Sequence, residues 1–164
     1  MIGSYIWGLA GHPGAVDALW GGVPRGIRPY YSAGMILAAA GYFAFTYFLL
    51  FRIDPARATV FGRSDATIFL YAYLGILVFS SLWMPATFWA VGVQRDLSVW
   101  IVRLILILVA LFSLGLFAAL LGTQPRDPAG AYGLAVVGSV FFCVQTVILD
   151  AIVWGMSFRI PGLL

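Results

Sequence analysis

Two ionisable side chains, Asp150 and Arg103, stand inside long apolar stretches of this chain of 164 residues. At membrane depth each would cost at least about 2.5–3.5 kcal/mol without a partner or a wet cavity, so such residues mark either a structural pair or a site. Asp150 lies about seven residues before the end of the last apolar stretch and Arg103 about five residues into the one before it, roughly 8–10 Å from the same membrane face. The spacing predicts an intramembrane ion pair, Arg103 with Asp150. Two alternatives stay open: Asp150 faces a cavity and meets a polar ligand or a proton, or Arg103 stretches to the headgroups and leaves Asp150 wet at the interface. Gln145 and Thr146 lie one turn before Asp150, with Thr146 four residues away and so on its face of an α-helix. They suit interhelical hydrogen bonds or, alternatively, ligand contact. Cys143 reads as a small apolar filler. His12, the one histidine, sits in a Gly-His-Pro-Gly turn, so no metal site can be assembled. Neither a Ser, His, Asp set nor a second carboxylate in a span is present, and no catalytic residue is assigned. The expectation is that the protein is not an enzyme and carries no cofactor.

A second chemical feature is Ser80-Ser81-Leu82-Trp83-Met84-Pro85. Pro85 has no N–H to give and its ring crowds the carbonyl of residue 81, so the helix should kink there, with freed carbonyls reached by Ser or water. Trp83, Phe88 and Trp89 surround the proline, and an aromatic wall beside a kink can make a pocket for a flat apolar molecule. Plain aromatic packing is the alternative. The expected pocket lies between the second and fourth spans, lined by Trp83, Trp89, Gln145 and Trp154, with Tyr42 contributing from the first. Gly34, Ala38 and Gly41 make a small-residue stripe on that first span, which permits close helix approach, for packing or for dimerisation.

The elements that must position these residues follow from composition. The chain is 63% hydrophobic and only 9% charged, with a mean hydropathy of +1.02, against roughly 45–50% apolar and 25% charged in a soluble domain. A soluble globule is excluded, and one cysteine excludes a disulfide scaffold. The nine basic residues, all Arg, are scattered singly and form no nucleic-acid patch. Four apolar runs, at about 31–51, 66–92, 98–122 and 131–157, are long enough to cross a hydrocarbon core of about 30 Å. Their unbroken apolar character excludes barrel strands. Pro29 sits at a helix start, Asp54-Pro55 stops the first span, and Ser64 or Asp65, Ser98 and Asp127-Pro128 punctuate the others.

The expected fold is therefore all-α: an integral membrane bundle of four transmembrane helices over residues 31–164, with short loops enforcing antiparallel neighbours. Residues 1–30, rich in Gly, Pro, Trp and Tyr, read as an interfacial segment lying at headgroup depth. No basic leader marks a cleaved signal peptide. Arg residues are balanced between the two sides, so no orientation is predicted. A bacterial inner membrane is the expected location, an organellar membrane the alternative.

The order of features also carries a resemblance. Pro29-Tyr30-Tyr31 and Gly41-Tyr42 precede Phe79-Ser80-Ser81-Leu82-Trp83-Met84-Pro85-Ala86-Thr87-Phe88, which resembles the Asn-x-Leu-Trp-x-Pro-x-Phe-Phe pattern of the TspO/translocator-protein (peripheral benzodiazepine receptor) family. The resemblance covers about residues 24–157, the family's last four of five helices. Ser80 stands where the family has Asn, Thr87 where it has the first Phe, and Ala38 where the preceding span has Trp. It implies a pocket between helices that binds porphyrins, sterols or aromatic drugs, with Trp83, Pro85 and Phe88 inheriting pocket roles directly. The sequence thus points to a membrane protein that binds a flat apolar ligand, tetrapyrrole or sterol-like. The alternative is an accessory or assembly subunit docked on a larger membrane complex or on a second copy of itself.

Overall fold

The computed structural model describes residues 19–63 and 66–158. Most of the interfacial segment, His12 and the Ser64–Asp65 start signal lie outside the described residues. A short 3₁₀ turn, Arg25–Ile27, leads into α1 (Arg28–Phe51), where Pro29 occupies the first turn; a proline fits there because the first helical N–H groups have no partner to lose. Then follow α2 (Thr67–Val93), α3 (Asp96–Leu121) and α4 (Ala129–Cys143). The last continues without a break as a π-helix, Val144–Trp154, and a final α-turn, Gly155–Ser157. All four rods are long and apolar enough to cross a membrane, and with β-structure among the described residues limited to two short strands the fold is an all-α four-helix bundle.

The helix ends deserve their own reasons. Gln94, in the left-handed region at φ 53°, closes α2 by donating its N–H to the Ala90 carbonyl, and only Arg95 separates it from α3. Ser98 does not cap α3. The helix already starts at Asp96, and the Ser98 hydroxyl folds back onto the Arg95 carbonyl at 2.6 Å. After α1, Asp54 organises a turn in which its carboxylate accepts the Ala56 N–H at 3.0 Å, a usual aspartate device. At the same end of the bundle, Thr59–Val60 pairs antiparallel with Thr123–Gln124. That two-residue ribbon ties the α1–α2 loop to the α3–α4 loop.

Helices associate in hydrocarbon through close packing, since lipid is as apolar as leucine. The tightest approach is between α1 and α4. A Cβ added at Gly41 would stand 2.2 Å from the Gly138 carbonyl oxygen, and one at Gly138 would stand 2.8 Å from the Gly41 Cα. The small-residue stripe is thus a packing seam within one chain. α2 and α3 form the other close pair, with the Phe112 ring lying over Gly75 and stacked on Phe79 at 5.7 Å. α3 lies against α4, whereas α1 and α2 have few backbone approaches and meet through large side chains. Two cores result. One, at the ribbon end, gathers Phe45, Phe48, Phe69, Ile76, Leu116 and Leu120. The other, at the opposite end, gathers Val23, Tyr31, Ala90, Val102, Leu106, Trp154 and Phe158. Outward-facing Ile36, Phe43 and Leu50 are exposed by about 70%, as suits a surface in lipid.

Several span residues keep their hydroxyls occupied. Ser113, Thr87 and Thr146 each donate to the carbonyl four residues earlier, at 2.7–2.9 Å, the usual way such groups avoid being orphaned in hydrocarbon.

The Gly41–Gly138 seam generates a prediction. Gly41→Ala should destabilise the protein by about 1–3 kcal/mol, the usual cost of overpacking. Gly130→Ala, whose Cβ meets nothing within 4 Å, should be neutral or slightly stabilising. Unfolding in mixed micelles measures both, and equal effects would remove the seam from the account.

Candidate functional site

The π-helix decides which polar residues meet. In an α-helix, side chains five residues apart are about 140° apart around the axis. A π-helix closes i→i+5 bonds and winds more widely, so they come much nearer to one face. Gln145 and Asp150 stand five apart within the π segment, and the Gln145 amide Nε2 donates to Asp150 Oδ1 at 2.9 Å. Thr146, which suited interhelical hydrogen bonds or ligand contact, spends its hydroxyl within its own helix, donating to the Phe142 carbonyl at 2.9 Å.

The partner of Asp150 from outside its helix is Tyr31, near the start of α1, whose hydroxyl donates to the same Oδ1 at 2.6 Å. The predicted ion pair with Arg103 does not form. Arg103 Nε donates to the Gly155 carbonyl at 2.8 Å, Nη2 reaches the Phe158 carbonyl at 3.4 Å, and the guanidinium lies over the Trp100 ring at 4.9 Å. The physical reason is the end of the fourth rod. Its last carbonyls have no helical donors, and a cation is favoured at that negative terminus. Arg103 therefore reaches along its stem to the carbonyls of the last turn, and neither the ion pair nor an Asp150 left without protein donors is what forms. Asp150, left behind, is held by two neutral donors.

Around this polar pair lies an aromatic layer. Tyr31 meets Trp20 edge-on at 5.7 Å, Trp83 meets Trp154 edge-on at 5.6 Å, and Trp154 stacks on Phe158 at 4.5 Å. The Trp154 indole N–H is held by the Leu19 carbonyl at 2.7 Å. Trp83, Trp154 and Tyr31 thus belong to one apolar cluster, and Gln145 and Asp150 border it through Tyr31. Gly34 completes the layer from α1. A Cβ there would lie 2.6 Å from Gln145 Oε1 and 2.8 Å from a Leu149 methyl. The absence of a side chain is what lets the glutamine amide lie against α1.

Other predicted site residues lie elsewhere. Trp89 is 47% exposed on the outside of α2. Phe88, on α2 one residue before it, is half-buried. Tyr42 belongs to a second cluster, deeper along α1, where Tyr73 donates to the Tyr42 hydroxyl at 2.6 Å and pairs with Thr46 at 2.8 Å, and where Phe45 and Phe142 pack around the phenols. Pro85 stays inside a continuous α2, and the nearby hydroxyls serve other carbonyls, Ser81 that of Val78 and Thr87 that of Trp83. Trp83 and Trp154 touch where an open pocket was expected between the second and fourth spans. Two concavities stand out elsewhere: an apolar groove of about 270 Å³ on the outer face of α3 and the fourth rod, flanked by Phe117 and Cys143, and a polar recess of about 170 Å³ at the ribbon end, between Arg52, Arg57, Asp54 and Asp127. Cys143 itself is buried and donates to the Ser113 carbonyl at 3.4 Å, in line with the filler reading.

Sequence reasoning missed Tyr31 as the partner of Asp150, along with Tyr73 and Thr46. A usable signal existed for Tyr31, because a tyrosine near the end of a span brings a hydrogen-bonding tip to the depth of Asp150.

These contacts set an expectation for stability. Tyr31→Phe should cost about 1–3 kcal/mol, since it strips a donor from a carboxylate in a low-dielectric site. Combined with Asp150→Asn it should show a coupling of about 0.5–3 kcal/mol, whereas Arg103→Gln combined with Asp150→Asn should be additive within about 0.5 kcal/mol. Double-mutant cycles read by unfolding in mixed micelles check both, and strong coupling of Arg103 to Asp150 would overturn the partner assignment. The chain matches no family model, no curated protein and no solved structure.

Proposed function

We propose that this integral membrane protein binds a flat, largely apolar ligand, tetrapyrrole or sterol-like, in the layer formed by Trp83, Trp154, Tyr31, Gln145 and Asp150. The observation that carries the reading is a carboxylate and an amide at membrane depth bordering a cluster of indoles and phenols. Ligand sites in membrane bundles combine a few polar groups with many apolar ones, the polar groups fixing orientation and the apolar ones supplying most of the affinity. Trp83 is also a residue that the TspO-like pattern places in a pocket. A ligand would take the place of the edge contact between Trp83 and Trp154, so entry requires those rings to part. The role is binding, without catalysis, and a bacterial inner membrane is the proposed location.

A second reading, an accessory subunit without a ligand, is favoured by the touching rings at the expected pocket and by the large exposed face of α1. Protoporphyrin titration of the detergent-purified protein, followed by tryptophan quenching, separates the two. Ligand binding predicts saturable quenching in the micromolar range, weakened at least about tenfold by Trp83→Phe or Trp154→Phe. Quenching linear in ligand, together with a stoichiometric partner that copurifies in mild detergent, would replace the first reading by the second.

A further inference from the structure

Asp150 is a carboxylate at membrane depth with no cation beside it among the described residues. Among the described residues the ion pair that forms is Arg57 with Asp54, at the ribbon end. At the Asp150 end, Arg103 is committed to carbonyls of the last turn, and Arg28 to the Val23 carbonyl and the face of Trp20. Arg25 and Arg95 are exposed on the rim. The donors that reach Asp150, Tyr31 and Gln145, are neutral and both land on Oδ1, which leaves Oδ2 for another donor.

Gln145 adds a second unfilled acceptor. The residue is only 5% exposed, and with its NH₂ group turned to the carboxylate its oxygen, Oε1, faces away with no hydrogen-bond donor. An amide cannot escape by flipping, because its oxygen would then oppose Asp150 Oδ1. A buried acceptor without a donor costs about 1–3 kcal/mol, and an uncompensated charge costs more. One small region therefore holds one negative charge and acceptors in excess of donors.

The complement is a group with one positive charge and several donors. An ammonium carries three N–H donors and no acceptor. Calcium and magnesium ions fit less well, since they take six or more oxygen ligands and the cluster offers few. The aromatic residues clustered around Tyr31 suit the rest of such a ligand, for ring faces attract cations and ring bodies pack against apolar groups.

We propose that the Tyr31–Gln145–Asp150 cluster binds an organic monocation, a protonated amine carried on an aromatic or apolar body. The inference rests on the reading that this layer binds a ligand and adds the charge and donor count of that ligand. An acidic tetrapyrrole would have to keep its carboxylates away from Asp150.

The test compares two probes of one shape, 1-naphthylmethylammonium and the neutral 1-naphthylmethanol, by equilibrium dialysis against the full chain in an uncharged detergent at pH 7. The ammonium should bind saturably and at least about tenfold more tightly than the alcohol. Asp150→Asn should abolish that preference and Gln145→Leu should reduce it several-fold, while Asp54→Asn, at the far end, leaves it unchanged. Equal binding of the two probes by the unaltered protein overturns the proposal without any variant having to fold, as does a preference that survives Asp150→Asn. Protoporphyrin binding without ammonium binding overturns the cation inference and leaves the broader reading standing. Loss of binding for protoporphyrin and both naphthyl probes overturns both.

Discussion

A carboxylate placed in hydrocarbon has to be satisfied by its neighbours, and the end of the bundle around Asp150 is organised by that requirement. In hydrocarbon the donors for such a charge come from the protein, and here they come from side chains. One donor comes from α1, the Tyr31 hydroxyl, and one from the same rod, the Gln145 amide. The first joins the start of α1 to the far part of the fourth rod. The second depends on residues five apart lying on one face, so the π winding and the polar contact support each other. Gly34 is part of the same solution, because the amide rests where a side chain on α1 would otherwise stand.

Away from that layer the helices are joined by two kinds of contact. Where glycine faces glycine, as at Gly41 and Gly138, backbones touch and the interface is shallow and dense. Where large rings face each other, as with Tyr42, Phe45 and Tyr73, the helices stand apart and aromatic side chains fill the interval. The first mode holds α1 on α4, and the second closes the bundle between α1 and α2. Arg103 contributes differently, tying α3 to the last turn of the fourth rod through carbonyls that no helical N–H can reach.

The proposed functional reading follows from an imbalance in this arrangement. Helix packing alone is served by apolar surfaces, and a charge within a span held by neutral donors is rarely the most stable choice. The charge, the unpaired amide oxygen and the surrounding rings occur together. That combination is what a ligand with an apolar body and a positive, donor-rich tip would complete.

Much of the architecture was legible in the sequence. Length of apolar runs, scarcity of charge and the proline at the head of α1 depend on local chemistry, and the four spans appear within a few residues of where those signals place them. The small residues Gly34, Ala38 and Gly41 marked the packing face of α1 for a similar reason, since a missing side chain permits close approach whatever the partner. Pairing was not legible. Asp150 and Arg103 lie at matching depth on neighbouring helices, yet depth does not fix azimuth. The π winding turned Asp150 toward Gln145 and Tyr31, and the open carbonyls of the last turn drew Arg103 away. Trp89 was separated from Trp83 and Trp154 by rotation about the axis of α2, and Tyr42 by depth along α1, where it joins the ribbon-end core. The sequence by itself determined that the chain builds four apolar rods and which residues in them are costly to bury. Tertiary structure alone decided which of those residues meet, because helix rotation and local winding are set by packing between rods and leave no periodic mark along any one of them.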